Sequence, residues 1–239
     1  MARARAAGDS SASRVVGPWR RQSVSSVANS PSVGARARSA NPRGQGDRLR
    51  VDLLGAAKGF VETFGSRQLT LRGLARQVGV SAPSVYLHFP NLDHLLAALV
   101  QQGFEDLTTA TSLAARNIVD PAEDLRARCR AYCRFALDHP RLYGLMFQDD
   151  LPLTVQTDPG ATPGRRSFEN LIAAVRRCLE AGLAPAHDDP FRLASLIWTA
   201  EHGLVLARIS RPDFPWAPIE VLVDEMVTRM MAFYPPDVG

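Results

Sequence analysis

From Ser81 to His88 the chain reads SAPSVYLH, a run with hydroxyls, one imidazole and apolar groups but no arginine, asparagine or glutamine. Those three absent types make the bidentate base contacts of a helix laid in the DNA major groove. Base reading by this run therefore falls to Ser84, and to apolar contact of Ala82 or Leu87 with thymine methyls. The rest of the chain offers little catalytic chemistry. It contains no G-x-S-x-G elbow, P-loop, G-x-G-x-x-G or H-E-x-x-H pattern. Glu201 and His202 are sequence neighbours, so on a helix they point about 100° apart and form no dyad by themselves. Cys129 and Cys133 stand one turn apart with no second pair or histidine to complete a zinc set, and read as core thiols rather than metal ligands. Trp198 and His202 are one turn apart on a shared face. A packed aromatic with a satisfied histidine and a ligand-lining pair are equal readings of them.

The elements that must hold the SAPSVYLH run are two short helices and a glycine turn. Thr70 is an N-cap residue, its hydroxyl able to accept from an orphan amide. Leu71, Leu74, Ala75 and Val78 recur at i, i+3, i+4 and i+7, one apolar stripe. Gly79 follows, where a left-handed residue costs least without a Cβ. Ser81 is positioned to cap a second helix, which tolerates Pro83 in its first turn. Val85 and Phe89 point inward from it. The four- and six-residue separations of Ala75, Gly79 and Val85 are those of a helix-turn-helix unit. An ordinary αα-hairpin in a helical core is the alternative. A helix over about 47–64, with Leu49, Leu53, Ala57, Phe60 and Phe64 on one face, would cover the back of the pair.

With VDLLGAAKGFVETFG before it and PNLDHLLAALV after it, the block resembles the N-terminal domain of the TetR family of bacterial transcription regulators. LTLRGLARQVGVS and SVYLHFPNLDHLL carry the most specific part of that resemblance. It implies that Tyr86 and His88 contact DNA phosphates and that Thr70 and Arg72 clamp the backbone. Such contacts fix register without reading sequence. The expected DNA-binding set is Thr70, Arg72, Ser81, Ala82, Pro83, Ser84, Tyr86, Leu87 and His88. One departure is Leu92, where the family usually has a lysine on phosphate. The W-x-x-x-H-G order of Trp198, His202 and Gly203 is similar to the C-terminal domain called WHG in one branch of the family. Gly203 would let another helix approach closely.

The formal charge of +4 is unevenly spread. Residues 1–46 hold eight arginines against one acid, whereas residues 96–239 hold fourteen bases against nineteen acids. The first segment is Arg-, Ser- and Ala-rich without periodicity and reads as a disordered tail. Its composition also fits a transit peptide or the product of an upstream start codon; an arm that adds unspecific phosphate attraction is the functional version. Beyond Asn91, a cap for a fourth helix, the pattern is helical throughout. Helices are expected over about 121–139, 140–147, 165–181, 190–209 and 218–233, with a proline-rich loop over 148–163.

These readings predict an all-α chain: the tail, a three-helix helix-turn-helix domain over 47–92, and a helical effector-binding and dimerisation domain over 93–234. The expected function is a ligand-responsive transcriptional regulator, a homodimeric repressor released from a double-stranded DNA operator by a small hydrophobic effector. Tyr132, Phe135, Phe147, Trp198 and His202 are the expected ligand-binding residues. No catalytic residue, metal or cofactor is expected. Three cysteines and no apolar run of spanning length suggest a cytoplasmic location without a membrane partner. An effector-independent DNA-binding protein and a helical enzyme are the alternatives.

Overall fold

The first helix, α1 (Gln45–Phe64), buries Leu53, Ala57 and Val61, an i, i+4, i+8 stripe. Phe64, expected on that face, is instead exposed and lies with its ring 5.0 Å from that of Phe60. The buried stripe runs through Val61 because it, not Phe64, continues the Leu53–Ala57 row. The structure is a computed structural model and describes residues 45–147, 163–184 and 189–232. The expected tail up to residue 44 and nearly all of the expected 148–163 loop lie outside these residues.

A 3-10 turn (Ser66–Gln68) leads to α2 (Leu71–Val78) and α3 (Ala82–Tyr86). Thr70 caps α2 as its residue type requires: its Oγ1 accepts the Gly73 amide at 3.1 Å. Gly79 ends α2 with φ 78°, the left-handed conformation that favours glycine. Ser81 stands at the N-cap of α3, but its hydroxyl caps no amide; it meets the Ser84 hydroxyl at 2.7 Å. Both groups are small and one turn apart, so each satisfies the other. Leu71, Leu74, Ala75, Val85 and Phe89 are buried in one core with Leu53, Ala57 and Val61 of α1.

Asn91 caps α4 (Leu92–Ala114) through the His94 amide at 3.0 Å. Then follow α5 (Pro121–Asp138), α6 (Pro140–Met146), α7 (Arg165–Glu180), α8 (Pro190–Ser210) and α9 (Ile219–Ala232). No strand occurs among the described residues. Proline opens α5, α6 and α8, where its missing amide proton costs nothing. Leu125, Cys129, Tyr132, Cys133 and Ala136 form a buried side of α5. In α9 the buried row is Val223, Val227 and Met231, while Val221 is 53% exposed.

Three contacts tie α1 to the helices that follow. Lys58 Nζ reaches Asp106 of α4 at 2.6 Å, and Glu62 meets His139 Nδ1 at 3.0 Å. Arg141 of α6 donates to the carbonyls of Glu62 and Thr63, the last of α1, which a helix end leaves without intrahelical partners. Gly103 sits where α4 and α6 cross: a Cβ there would lie 2.8 Å from Met146 Sδ. Gly203, expected to admit a neighbouring helix, has nothing within 4 Å of a Cβ position within the described residues. α5 and α7 are joined by buried Asp124, which accepts from Arg128 at 2.9 and 3.1 Å and from Arg177 at 2.5 Å. The two guanidiniums pair the buried carboxylate from both helices.

Candidate functional site

Most of the residues expected to bind DNA are exposed on the α2–α3 pair. Leu87 is 86% exposed and Tyr86 45%, while Val85 and Phe89 between and beside them are fully buried. Leu87 thus has little packing among the described residues. Thr70, Arg72, Ser81 and Pro83 are exposed, and Ala82, Ser84 and His88 are half-buried. Ser84, the one candidate base reader with a hydrogen-bonding group, spends that group on Ser81. Arg50 of α1 joins the surface without having been expected there. Its Nη1 donates to the His88 carbonyl at 3.3 Å, and its guanidinium lies 4.6 Å from the Phe89 ring centre. Its position three residues before Leu53 and seven before Ala57, at the open end of the buried stripe of α1, was the only sequence signal.

A second feature lies between α4, α5, α7 and α8: a cavity of about 540 Å³. Tyr132, Phe147, Phe168 and Trp198 form its aromatic wall, with the Phe168 and Trp198 rings 6.3 Å apart. Two residues expected at such a site are elsewhere. Phe135 is buried with its ring 5.0 Å from that of His139, because it occupies the α5 face turned toward α6. His202 stacks on Trp198 at 5.5 Å, but its Nδ1 meets the Tyr143 hydroxyl at 2.6 Å and it does not line the cavity. Tyr143 in turn meets Tyr132 at 2.7 Å. Burial pushes both tyrosine hydroxyls well above their ordinary pKa and lowers that of His202.

The deepest-buried polar group that lines the cavity is Glu201, which is 2% exposed. Its Oε1 is the one buried side-chain oxygen or nitrogen without a hydrogen-bond partner among the described residues. Burial raises its pKa to about 8, and the Cys129 thiol is the only group that acts to lower it. Sequence reading passed over Glu201 because its neighbour His202 forms no dyad with it. Its place in the Ile197–Glu201–Val205 row, otherwise apolar and fully buried, was the available signal. The three cysteines are buried, and burial raises their pKa values, to about 11 for Cys178. Among the described residues no cluster could hold a metal ion and no helix is long and apolar enough to cross a membrane.

A helix-turn-helix with exposed apolar and aromatic tips, carried on a helical body with its own cavity, defines a DNA-binding regulator. The comparisons with known proteins agree. Residues 53–99 match the family model described as bacterial regulatory proteins, tetR family, and residues 125–234 match that described as tetracyclin repressor-like, C-terminal domain. The chain belongs to the TetR family of transcriptional regulators. Regulators of this family are non-enzymatic, bind DNA and act as dimers. The chain is 29% identical to the HTH-type transcriptional activator FasR of Mycolicibacterium smegmatis over 133 residues, 53% of this chain and 60% of that relative. It thus spans less than two thirds of the length of FasR. It is 27% identical to the nucleoid occlusion factor SlmA of Edwardsiella ictaluri over 72% of this chain and 87% of that one. A solved protein of unknown function from Rhodococcus sp. RHA1 is 28% identical, with a TM-score of 0.65 over 77% of this chain and 93% of its own.

Proposed function

We propose that the chain is a ligand-responsive repressor that binds its operator as a homodimer and is released by a small hydrophobic effector. The cavity of about 540 Å³ carries this reading: its volume and aromatic wall suit one apolar molecule. Thr70, Arg72, Ser81, Ala82, Pro83, Ser84, Tyr86, Leu87 and His88, with Arg50, form the DNA surface. Tyr132, Phe147 and Trp198 contact the effector. The head spans 47–92, the effector and dimer domain 93–234, and the protein works in the cytoplasm.

The effector signal has a route. Phe147 at the end of α6 lines the cavity, and Arg141 at the start of α6 holds the last carbonyls of α1. Displacing α6 would tilt α1 and change the spacing of two reading heads that must meet half-sites about one DNA turn apart. The dimer face is the outer side of α8. Leu196, Gly203 and Leu206 are exposed there, opposite the buried Ile197–Glu201–Val205 row, with Val221 of α9 beside them in sequence order.

A second reading, a DNA-binding protein without an effector, draws on the similarity to a nucleoid occlusion factor. One experiment separates the two. Apolar compounds that raise the melting temperature of the full chain would be added to a duplex-binding titration. Repressor function predicts that they weaken DNA binding, because linkage requires the coupling to run both ways. Compounds that stabilise the protein and leave DNA affinity unchanged overturn it.

A further inference from the structure

Several polar side chains of the cavity wall are already engaged. Arg128 lines it but holds Asp124 with two bonds, and Arg165 pairs with Glu169 at 2.7 Å. The hydroxyls of Thr111, Ser195 and Thr199 each donate to a backbone carbonyl of their own helix. Among the buried side chains of the described residues, Glu201 alone keeps an unpartnered oxygen. An unpartnered carboxyl in an apolar site costs more than a satisfied one, so its retention at a cavity wall points to a partner from outside.

We propose that the cavity takes a lipophilic cation, an apolar ring-bearing molecule whose protonated amine donates to Glu201 Oε1. The inference rests on the reading of this cavity as the effector site. Among the described residues no side-chain cation bonds Glu201 Oε1, and the Arg128 guanidinium in the same wall is held by Asp124. The missing positive charge is therefore the ligand's to supply. The faces of Trp198, Phe168 and Phe147 favour a cation, because an aromatic ring presents its negative quadrupole there. A neutral alcohol would gain one hydrogen bond and no charge pairing. A carboxylate would set two acids together in a low dielectric. When the amine binds, the Glu201 proton passes to solvent and the ion pair remains.

The test uses three probes on one skeleton, 3-(1-naphthyl)propylamine, the matching alcohol and the matching carboxylic acid, titrated calorimetrically into the full chain. The amine is expected to bind about tenfold or more tighter than the alcohol, with the acid weakest. In Glu201→Gln the amine should fall to the affinity of the alcohol, whose own binding stays within about threefold. Equal binding of amine and alcohol by the unaltered protein overturns the cation assignment while leaving the cavity a ligand site. Amine binding that survives Glu201→Gln overturns it as well. If no probe binds, the cavity is not a ligand site and the effector reading falls with the inference. The probe order in the unaltered chain decides the matter even if the variant folds poorly.

Discussion

The Tyr143 hydroxyl lies 2.6 Å from His202 Nδ1 and 2.7 Å from the Tyr132 hydroxyl, so one side chain of α6 holds a residue of α8 and a residue of α5 together. This arrangement fixes His202 as a structural partner on its Nδ1 side. Tyr143→Phe removes both bonds and leaves two polar groups short of a partner. It should lower stability by roughly 1–3 kcal/mol, read from urea unfolding. A change within error of zero would show that water takes the place of the hydroxyl.

Glu201 gives stability a pH dependence of defined sign. Its folded pKa of about 8 lies above the ordinary 4.5, so the native state holds a proton that the unfolded chain has released. The contribution of the neutral carboxyl is complete below the ordinary value and is lost as pH rises toward 8. Glu201→Gln is neutral at every pH and abolishes this slope. The two proteins should melt alike near about pH 5, with the variant more stable by up to a few kcal/mol near about pH 8.5. His202 acts in the opposite sense. Its lowered pKa makes a contribution present above 6.5 and lost as pH falls. Melting curves of Glu201→Gln that track the parent across this range contradict the assignment.

Arg141→Ala tests the link between α6 and α1. Both residues whose carbonyls it holds end α1, so the variant should lose about 1 kcal/mol and bind duplex DNA several-fold more weakly. The diagnostic observation is the response to effector. A compound that releases DNA from the parent should release it less from Arg141→Ala. An unaltered response would place the signal on the Lys58–Asp106 contact between α1 and α4 instead.

Leu196→Glu addresses the outer face of α8. A charge at a position already 53% exposed in one chain costs that chain little. In a dimer it would be buried without a partner, at a cost of several kcal/mol. Sedimentation should therefore find a folded monomer with unchanged helicity and weakened DNA binding. A dimer as tight as the parent's would move the interface off this face.

The parts of the molecule that were legible in the sequence are those governed by short-range rules. Thr70, Gly79 and Asn91 announce helix ends through their own capping chemistry, and the structure has all three in those roles. The α5 stripe from Leu125 to Ala136 follows from the helical period alone. Where a choice depended on which face met a neighbour, the pattern could not decide. Val61 and Phe64 both fit α1, and only packing against α2 and α4 selects Val61. The same holds at the cavity. Trp198 to His202 is one turn, but which of Glu201 and His202 faces the aromatic wall depends on Tyr143, fifty-nine positions away. Ser81 shows a smaller version: its residue type predicts a cap, and its neighbour Ser84 takes the hydroxyl first.

The central claim, that the surface around Tyr86 and Leu87 reads duplex DNA as one half of a symmetric head, is tested most directly by selecting bound sequences from a pool of random duplexes. The account predicts enrichment of an inverted repeat with half-site centres about one helical turn apart. It also predicts that Tyr86→Ala recovers the same repeat at lower affinity, since a phosphate contact carries no base information. A pool that stays random through repeated rounds, or a Tyr86→Ala protein that binds as tightly as the parent, would contradict it.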